Sequence, residues 1–424
     1  MKFLLDMGKN MKYKRYSLVV LSLFLILFLF IASASAAGAN ETDELTADDS
    51  TSTVIEKLAS DSSSVYNKSD DSNDFRNDGD DLLSADDSEN SEIYKHDGSS
   101  EVLKADNTWY VDANAASGGD GSQESPFNSL KAVLAGSSAG DVIRIAPGTY
   151  AGENNTGLTI GKILTFEKYG DGEVIFDGQA NNYIWTVSAS SINIYGLTFK
   201  NGKATGNGGA IYVTNNDFSN SVINATFINN KATDGNGGAV QASYDAENVS
   251  VYGEFRNNVA YIGGAICFEG GPYTIFKMID INATFTDNTA SRYGGALYIV
   301  KEVSNLAINS TFIHNTATNE GGAVQFLGTV SSSNINSKFI NNTAGYGGAN
   351  YFATLNNVNI TGDFINNKAT ESGNYRGGSA NYFNKAVTNV HISGNFISNT
   401  IKGSSLTHNE ATNYFKETAT NVDI

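Results

Sequence analysis

Short apolar, β-rich segments recur through the second half of this chain, and glycine or asparagine separates each from the next. The stretch Phe227–Val240, FINNKATDGNGGAV, contains both halves of the recurring unit, F-x-x-N and G-G-A-[IVL]. No window shows the 3.6-residue apolar period of an amphipathic helix. A unit that returns every 26 to 31 residues, with two or three short strands in it, is typical of a solenoid.

The repeat is defined by three kinds of position, which recur in step. The G-G-A element begins at Gly208, Gly237, Gly263, Gly294, Gly321 and Gly347, and it appears as G-G-S at Gly377. The phenylalanine of the other half is Phe199, Phe227, Phe255, Phe285, Phe312, Phe339, Phe364 and Phe396. An asparagine follows all but the first of these by three places, at Asn230, Asn258, Asn288, Asn315, Asn342, Asn367 and Asn399.

These positions predict an all-β fold, a right-handed single-stranded parallel β-helix. Successive turns would lie about 4.8 Å apart, so equivalent side chains would form ladders. Phenylalanine would then form an inward aromatic column, and stacked asparagine amides would hydrogen-bond along the axis. Paired glycines would allow positive φ or close backbone approach at a corner. The alternative is a disordered Gly/Asn-rich tract. It is disfavoured because apolar residues occupy matching positions in every copy.

The last copies resemble one another most. Asn350-Tyr351-Phe352 recurs from Asn381 and again from Asn413. The chain therefore stops inside a repeat without a visible capping unit, which a solenoid needs to cover its last apolar turn. We expect the chain either to be a fragment of a longer protein or to end against a partner.

Composition divides the chain into three predicted segments. Residues 1–36 carry five bases and one acid, a 14-residue apolar run (residues 18–31) and Ala34-Ser35-Ala36, which together indicate a secretory signal peptide. An uncleaved anchor is the alternative. Residues 37–107 carry 20 acids and five bases with few aromatics, which predicts a disordered acidic linker. Residues 108–424 form the predicted β-helix. The sequence contains no basic patch of the kind that binds nucleic acid, so we predict no nucleic-acid partner.

The start of the β-helix has its own pattern. Trp109–Asp112 predicts a strand, and the segment from Pro126 to about Leu134 predicts a short helix with Leu130, Val133 and Leu134 on one face. A strand follows at Val142–Ile145. A short amphipathic helix here would cap the open apolar end of the first turn.

Candidate chemistry is sparse. The one cysteine, Cys267, cannot form an internal disulfide and is interpreted as an inert, inward-facing thiol. Neither a metal-ligand spacing nor a cofactor motif is present, and we predict no catalytic, cofactor or metal residue. Asp177 in Phe176-Asp177-Gly178 is the best catalytic candidate, although such a turn suits any β-helix. Other candidate acids and bases fall at different phases of the repeat: Glu254, Glu269, Asp280, Asp287, Asp363, Arg144, Arg256, Arg292 and Arg376. The histidines are His96, His314, His391 and His408, and His314 is predicted to be a turn residue.

Two surface features remain. N-x-[ST] sequons within the predicted β-helix include the candidate glycosylation sites Asn224, Asn248, Asn282, Asn309, Asn341 and Asn359, with others at Asn40, Asn67 and Asn154. Tyrosines that we expect to be exposed recur near the G-G corner and would either stack on sugar rings or pack as a ladder: Tyr212, Tyr261, Tyr293, Tyr298, Tyr346 and Tyr375.

The segment from Trp109 to Tyr150 resembles the N-terminal cap and first turn of pectate-lyase-like β-helices. The G-G-A-[ILV] and F-x-x-N repeats resemble those of chlamydial polymorphic membrane proteins, and still more the adhesin-like proteins of methanogenic archaea. The resemblance covers about residues 108–424. It implies a surface-exposed protein with a role in attachment, and it implies no particular ligand.

We therefore predict a secreted or cell-surface, non-catalytic protein that presents a β-helical rod to glycans or proteins on host or microbial surfaces. Membrane contact would occur only through the signal segment. The alternative is a polysaccharide lyase or glycoside hydrolase acting on uronate polymers, which would need carboxylates and a basic residue gathered on neighbouring turns. A purely structural wall component differs only in lacking a specific ligand.

Overall fold

The computed structural model describes residues 107–271, 274, 276–371, 377–401 and 412–424, and the backbone of 93–94 and 100–101. The predicted signal peptide and nearly all of the predicted acidic linker lie outside these residues. So do His96, His408, Tyr375, Arg376, Asn40 and Asn67.

The regular secondary structure of the described chain is almost entirely β-strand. A two-stranded antiparallel sheet, β1 Ile93–Tyr94 with β2 Ser100–Glu101, precedes the main body. The first turns contain β3 Thr108–Val111, the helix α1 Leu130–Gly136, β4 Val142–Ile145, β5 Gly148–Ala151, β6 Leu158–Ile160, β7 Leu164–Lys168, β8 Val174–Asp177 and β9 Trp185–Val187.

The repeated turns supply the remaining strands. In chain order these are β10 Ile192–Lys200, β11 Lys203–Ala204, β12 Ile211–Val213, β13 Asp217–Ile228, β14 Lys231–Ala232, β15 Val240–Ala242, β16 Asp245–Arg256, β17 Val259–Ile262, β18 Ile266–Phe268, β19 Phe276–Thr286, β20 Thr289–Tyr293, β21 Leu297–Ile299, β22 Val303–Ser304, β23 Ala307–Ile308, β24 Thr311–Ile313, β25 Thr316–Ala317, β26 Val324–Ile340, β27 Thr343–Ala344, β28 Asn350–Ile365, β29 Lys368–Ala369, β30 Asn381–Phe383, β31 Val387–Ile397, β32 Thr400–Ile401, β33 Asn413–Phe415 and β34 Ala419–Asp423.

These strands form a right-handed parallel β-helix of about nine turns, which confirms the predicted fold. Each strand pairs in parallel with its equivalent one turn later, as β13 does with β16 and β16 with β19. A turn consists of a long strand, a two- to five-residue strand and a three-residue strand after the Gly-Gly corner. In two turns the three-residue strand runs on into the long one, as β26 and β28. The stack leaves one continuous core along the axis.

The predicted phenylalanine column fills that core. Phe227, Phe255 and Phe285 lie over one another with ring centroids 4.8 and 4.9 Å apart. The column runs from Phe176 to Phe396, and neighbouring rings are stacked throughout at 4.7–5.7 Å. All but the last ring are fully buried. Within the column, each phenylalanine therefore stacks on the equivalent phenylalanine of the neighbouring turn, as the fixed spacing predicted.

The asparagine ladder is also confirmed, and its geometry is regular. Asn258 Oδ1 accepts hydrogen bonds from the backbone N–H and from Nδ2 of Asn230, both at 3.0 Å. Asn258 Nδ2 donates in turn to Asn288 Oδ1 at 3.0 Å and to the Phe227 carbonyl at 3.1 Å. The same pattern continues through Asn288, Asn315, Asn342, Asn367 and Asn399. Each amide thus pairs with backbone N–H and C=O groups at a bend, where these groups have no partner in a neighbouring strand.

Neighbouring residues at the corners differ in backbone conformation and in the space around them. The residue before the ladder asparagine takes the left-handed conformation, for example Asn257 and His314, both with φ of 55°. His314 is therefore a turn residue, as predicted. In a Gly-Gly pair only the first glycine has positive φ, as Gly263 does at 61°. The second, Gly264, sits where a Cβ would collide with the carbonyl of Gly295 in the next turn.

One register prediction is wrong. The sequence pattern placed the last glycine pair at Gly377, but the left-handed residue is Gly378, with φ of 68°. The N–H of Gly348 donates to the Gly378 carbonyl, and that of Ala349 donates to the Ala380 carbonyl. Ser379 therefore takes the second glycine position, because Asn381 must stay in register with Asn350.

The predicted capping helix is present as α1, although it begins at Leu130 rather than at Pro126. Leu130 and Val133 are fully buried and belong to the main core, and Leu134 packs against it. The Leu130 N–H donates to Asn155 Oδ1 at 2.9 Å, which fixes the start of the helix to the following loop. Its apolar face therefore continues the core at the first turns.

Candidate binding face

The short strands after the Gly-Gly corner carry a row of outward positions that the repeat analysis did not single out. In β15, β18 and β21 the first and third residues join the core, so the middle residue faces the other way. We call these middle residues the outer column: Tyr212, Gln241, Cys267, Tyr298, Gln325, Tyr351, Tyr382 and Tyr414.

Although it faces outward, most of the outer column is buried. Tyr298 is 4% exposed, Tyr351 5% and Tyr382 3%. The cause is the Gly-Gly corner, which folds back over the short strand and brings a second row alongside. A Cβ added at Gly263 would contact the Cβ of Cys267 at 2.9 Å. We call the second row the corner column, and it consists of Asn236, Ile262, Tyr293, Glu320 and Tyr346.

The two columns and the strand beside them create an exposed aromatic and cationic cluster. The Arg292 guanidinium carbon lies 5.3 Å from the Tyr261 ring centroid and 5.9 Å from that of Tyr293. Tyr293 stacks on Tyr298 at 6.2 Å. Tyr261 is 38% exposed and Arg292 is also exposed, whereas Tyr298 lies beneath them. We call Tyr261, Arg292 and Tyr293 the Tyr–Arg cluster.

A half-buried carboxylate lies next to this cluster. Glu320 Oε2 accepts a hydrogen bond from Gln325 Nε2 at 2.7 Å. Burial raises the pKa of Glu320, and the hydrogen bond from Gln325 and the positive charge of Lys416 only partly oppose that rise. Burial also raises the pKa of the Tyr298 and Tyr351 hydroxyls, and nearby Glu320 adds to both effects. These hydroxyls therefore remain neutral donors at physiological pH.

A second carboxylate occupies the same face two turns earlier. Glu269 Oε2 accepts hydrogen bonds from Gln241 Nε2 at 2.9 Å and from Asn236 Nδ2 at 3.3 Å. The face thus presents tyrosine rings, carboxylates and side-chain amides on successive turns, and these turns are spaced about 5 Å apart. Aromatic faces with a few fixed polar groups are the usual lining of ligand sites.

The predicted tyrosines divide into two groups. Tyr261 is exposed, and Tyr212, Tyr293 and Tyr346 are half-buried near the corner, as the sequence indicated. The expectation that Tyr298 is exposed is wrong, because the corner column covers it. Within the outer column Tyr351 and Tyr382 stack at 5.1 Å, so ladder packing accounts for this part of the row.

The candidate acids and bases pair singly rather than as one group. Asp177 Oδ2 lies 3.6 Å from Lys200 Nζ, and Asp177 Oδ1 accepts hydrogen bonds from the Gln179 N–H and from Asn201 Nδ2. These contacts fasten a turn. The remaining named pairs are Arg144 with Glu167, Arg256 with Glu254, Asp280 with Tyr252 and Asp363 with Asn395. Asp287 lies 3.5 Å from His314.

Two carboxylates occupy facing positions on neighbouring turns. Asp217 and Asp245 occupy facing register positions, and Glu247, two residues after Asp245, lies 3.4 Å from Lys277 of the following turn. Among the residues that the structure describes, no group of three or more histidine, cysteine or acidic side chains is arranged to hold a metal ion. In the same part of the chain, no helix has the length and hydropathy needed to cross a bilayer.

Cys267 is fully buried, as expected, but the expectation that it faces inward is wrong. Ile266 and Phe268 on either side belong to the core, so the thiol lies on the outer face beneath the corner. Burial raises the pKa of the thiol well above its usual value, and Glu269 raises it further.

The sequons lie mainly on the long strands. Asn224, Asn248, Asn309 and Asn359 are exposed, and Asn282 and Asn341 are half-buried. Asn248 Nδ2 already donates to Asn220 Oδ1 at 2.8 Å, and Asn359 Nδ2 to Asn334 Oδ1 at 2.9 Å. Glycosylation of these residues stays a prediction.

Comparison with known proteins adds two findings. Residues 282–300 match the Chlamydia polymorphic membrane protein repeat. The crystal structure of the pectate lyase Pel9A is similar at 16% identity and a TM-score of 0.37, over 71% of this chain and 79% of that one. No curated protein matches this chain. The matched repeat spans Asn282 to Val300, which includes Phe285, Asn288 and a Gly-Gly corner.

Sequence reasoning found the inward ladders and named Tyr212 and Tyr298 near the corner, but it did not identify the outer column as one row. The missing signal is the second residue after each G-G-A, which reads Tyr, Gln, Cys, Tyr, Gln and Tyr from Tyr212 to Tyr351. Its members share a position but not a chemical type, so a search for identical residues passes over them.

Proposed function

We propose that this protein is a secreted, non-catalytic surface protein whose β-helix serves as a rigid rod for attachment to glycans. The Tyr–Arg cluster and the adjoining carboxylate Glu320 form the contact region. The single observation that carries this proposal is the exposed Tyr261 ring with Arg292 against it at 5.3 Å, on a face lined with fixed amides and carboxylates.

The chemistry of that region suits sugars. A tyrosine ring offers an apolar surface with little conformational entropy to lose, and Arg292, Glu320 and the amides supply donors and acceptors for hydroxyl groups. Repetition of one face along a rigid rod also favours many weak contacts acting together. The matched polymorphic membrane protein repeat supports a location at the cell surface.

The test is binding of the purified full chain to immobilised polysaccharides, with a parallel assay for released sugar products. We expect retention without turnover, and we expect Tyr261→Ala and Arg292→Ala each to weaken retention about fivefold, since exposed contacts of this kind contribute about 1 kcal/mol. Tyr195→Ala is the matched control, because Tyr195 is equally exposed, at 37%, on a different face.

Equal loss with Tyr195→Ala, or no loss with either cluster variant, would contradict the assignment of the contact region. The alternative function, a lyase or hydrolase on uronate polymers, rests on the facing positions of Asp217 and Asp245 and on the contact of Glu247 with Lys277 at 3.4 Å. Release of unsaturated or reducing sugars that Lys277→Ala abolishes would favour that alternative.

A further inference from the structure

Gln241 and Cys267 are direct neighbours in the outer column. They occupy facing register positions of the parallel strands β15 and β18, and both are 0% exposed. Their flanking residues belong to the core, so both side chains lie on the outer face under the Gly-Gly corner. Cys267 is the only cysteine in the chain, so a disulfide does not explain its place.

The Gln241 amide is only half satisfied. Its Nε2 donates to Glu269 Oε2 at 2.9 Å and reaches Ser243 Oγ at 3.4 Å. The Gln241 amide also lowers the pKa of the neighbouring Cys267 thiol, against the larger effect of burial. Its Oε1 has no hydrogen-bond partner anywhere in the described part of the chain. An unpaired buried amide oxygen is unfavourable, because it has lost its hydrogen bonds to water without gaining a partner in the protein. A thiol, an amide carbonyl and a carboxylate are therefore confined together.

We propose that Cys267 and Gln241 react with each other to form an intramolecular thioester. The Cys267 sulfur adds to Cδ of Gln241, which forms the S–C bond. The C–N bond then breaks, and Nε2 leaves as ammonia. The thiol proton passes to Glu269 and from there to the departing nitrogen. Sulfur and carbon keep their oxidation states, so neither an oxidant nor a reductant is needed.

Three physical features favour this reaction. Side chains fixed on adjacent turns have a very high effective concentration for each other. Burial disfavours the free thiolate, so a base at the site is required, and Glu269 already holds the leaving nitrogen. The thioester carbonyl is a weaker hydrogen-bond acceptor than an amide carbonyl, so the unpaired oxygen costs less after the reaction.

Burial also decides the lifetime of the product. A thioester in water is hydrolysed, but residues with 0% exposure are shielded from that attack. Loss of ammonia into dilute solution draws the exchange forward. The bond would join two turns of the solenoid covalently, and it does not depend on whether the rod binds glycans.

Intact mass spectrometry of the full chain, unfolded at mildly acidic pH without reductant, tests the proposal. We expect a mass below the sequence value by one ammonia and no titratable thiol. Treatment with methylamine should free one thiol per chain and leave Gln241 as its methylamide. A full mass with one free thiol would overturn the proposal.

Variants separate the thioester from other losses of ammonia, such as succinimide formation at Asn-Gly. Cys267→Ser and Gln241→Ala should each remove the deficit, and its persistence in Cys267→Ser would overturn the proposal. Gln325→Ala is the matched control. Gln325 is also buried, with Nε2 on Glu320 and Oε1 unpaired, but its register neighbours are Tyr298 and Tyr351. This variant should keep the deficit.

Should the cysteine variant fail to fold, peptide mapping of the unmodified chain decides the question. The peptides that contain Gln241 and Cys267 should elute as one joined species that hydroxylamine separates. Recovery of the two peptides unlinked, with a free thiol on one, would overturn the proposal equally.

Discussion

The first turns and the repeated turns satisfy their buried polar groups in different ways. In the first turns each contact is unique: Trp109 Nε1 donates to Asp141 Oδ2 at 2.7 Å, and Asn155 Oδ1 accepts from the Leu130 N–H. In the repeated turns one residue type serves every turn, as Asn258 and Asn288 show. Unique contacts specify where the solenoid begins, whereas the ladder makes each turn depend on both its neighbours.

The largest expected effect tests how closely the repeated turns approach one another. Gly264→Ala places a Cβ against the Gly295 carbonyl and within 2.8 Å of Thr289 backbone atoms. Neither can move without shifting a whole turn, so we expect a loss of about 3 kcal/mol or more. Urea unfolding measures it.

Gly206→Ala is the control for that variant, because a Cβ there meets nothing within 4 Å. It should leave the unfolding free energy within about 0.5 kcal/mol of the unmodified protein. If the two variants proved equally stable, close packing against the next turn would not be the reason that glycine occupies the second position of the pair.

The second prediction sets the ladder against a unique contact. Asn288→Ala leaves the Asn258 N–H and the Phe255 carbonyl without partners in a fully buried site, and should cost about 2–3 kcal/mol. Asn155→Ala removes two side-chain hydrogen bonds, whereas Asn288→Ala removes four, and Asn155 at 9% exposure lies closer to water than the fully buried Asn288. It should cost about 1 kcal/mol.

The same unfolding measurement distinguishes the two sites. An Asn155 variant that is less stable than the Asn288 variant would show that position near the helix, rather than membership of a ladder, decides the cost.

The third prediction concerns the aromatic column. Phe285→Leu keeps the site apolar but removes one ring from a stack whose neighbouring centroids lie 4.9 and 4.8 Å away. We expect a loss of about 1–2 kcal/mol from lost packing and ring contact. Phe396→Leu, at the half-buried end of the column, should cost less. Thermal unfolding compares the two, and a larger cost at Phe396 would contradict the column as a source of stability.

The smallest effect depends on pH. Burial raises the pKa of Glu320 above its usual 4.5, so the folded state binds more protons than the unfolded state in the interval just above that value. Stability from this group therefore falls as pH rises through the interval. Glu320→Gln should be slightly more stable than the unmodified protein at neutral pH, by less than about 1 kcal/mol, and the difference should vanish below pH of about 4. Urea unfolding at both pH values measures this difference in free energy. A Glu320→Gln variant less stable than the unmodified protein at neutral pH would contradict the prediction.

Sequence alone predicted most of the repeated turns, because each inward position is occupied by one residue type at a nearly constant spacing. Phe227, Phe255 and Asn258 could be placed from spacing without any structure. The register of Gly378 could not, since G-G-S offers two glycines and only the position of Asn381 selects between them.

The candidate binding face was less predictable for a physical reason. Inward positions are constrained by identical neighbours, whereas an outward position needs only a neighbour of compatible size, and so Gln241, Cys267 and Tyr298 succeed one another. The burial of Tyr298 follows from the fold of the Gly-Gly corner over its strand, which no local pattern encodes.

The asparagine ladder has a consequence for how such a chain changes over generations. Because every amide offers the next turn the contact it received from the last, a whole turn can be duplicated or deleted and the cut faces still match. Length can therefore change by copying about thirty residues at a time, while the exposed side chains of each copy are free to diverge.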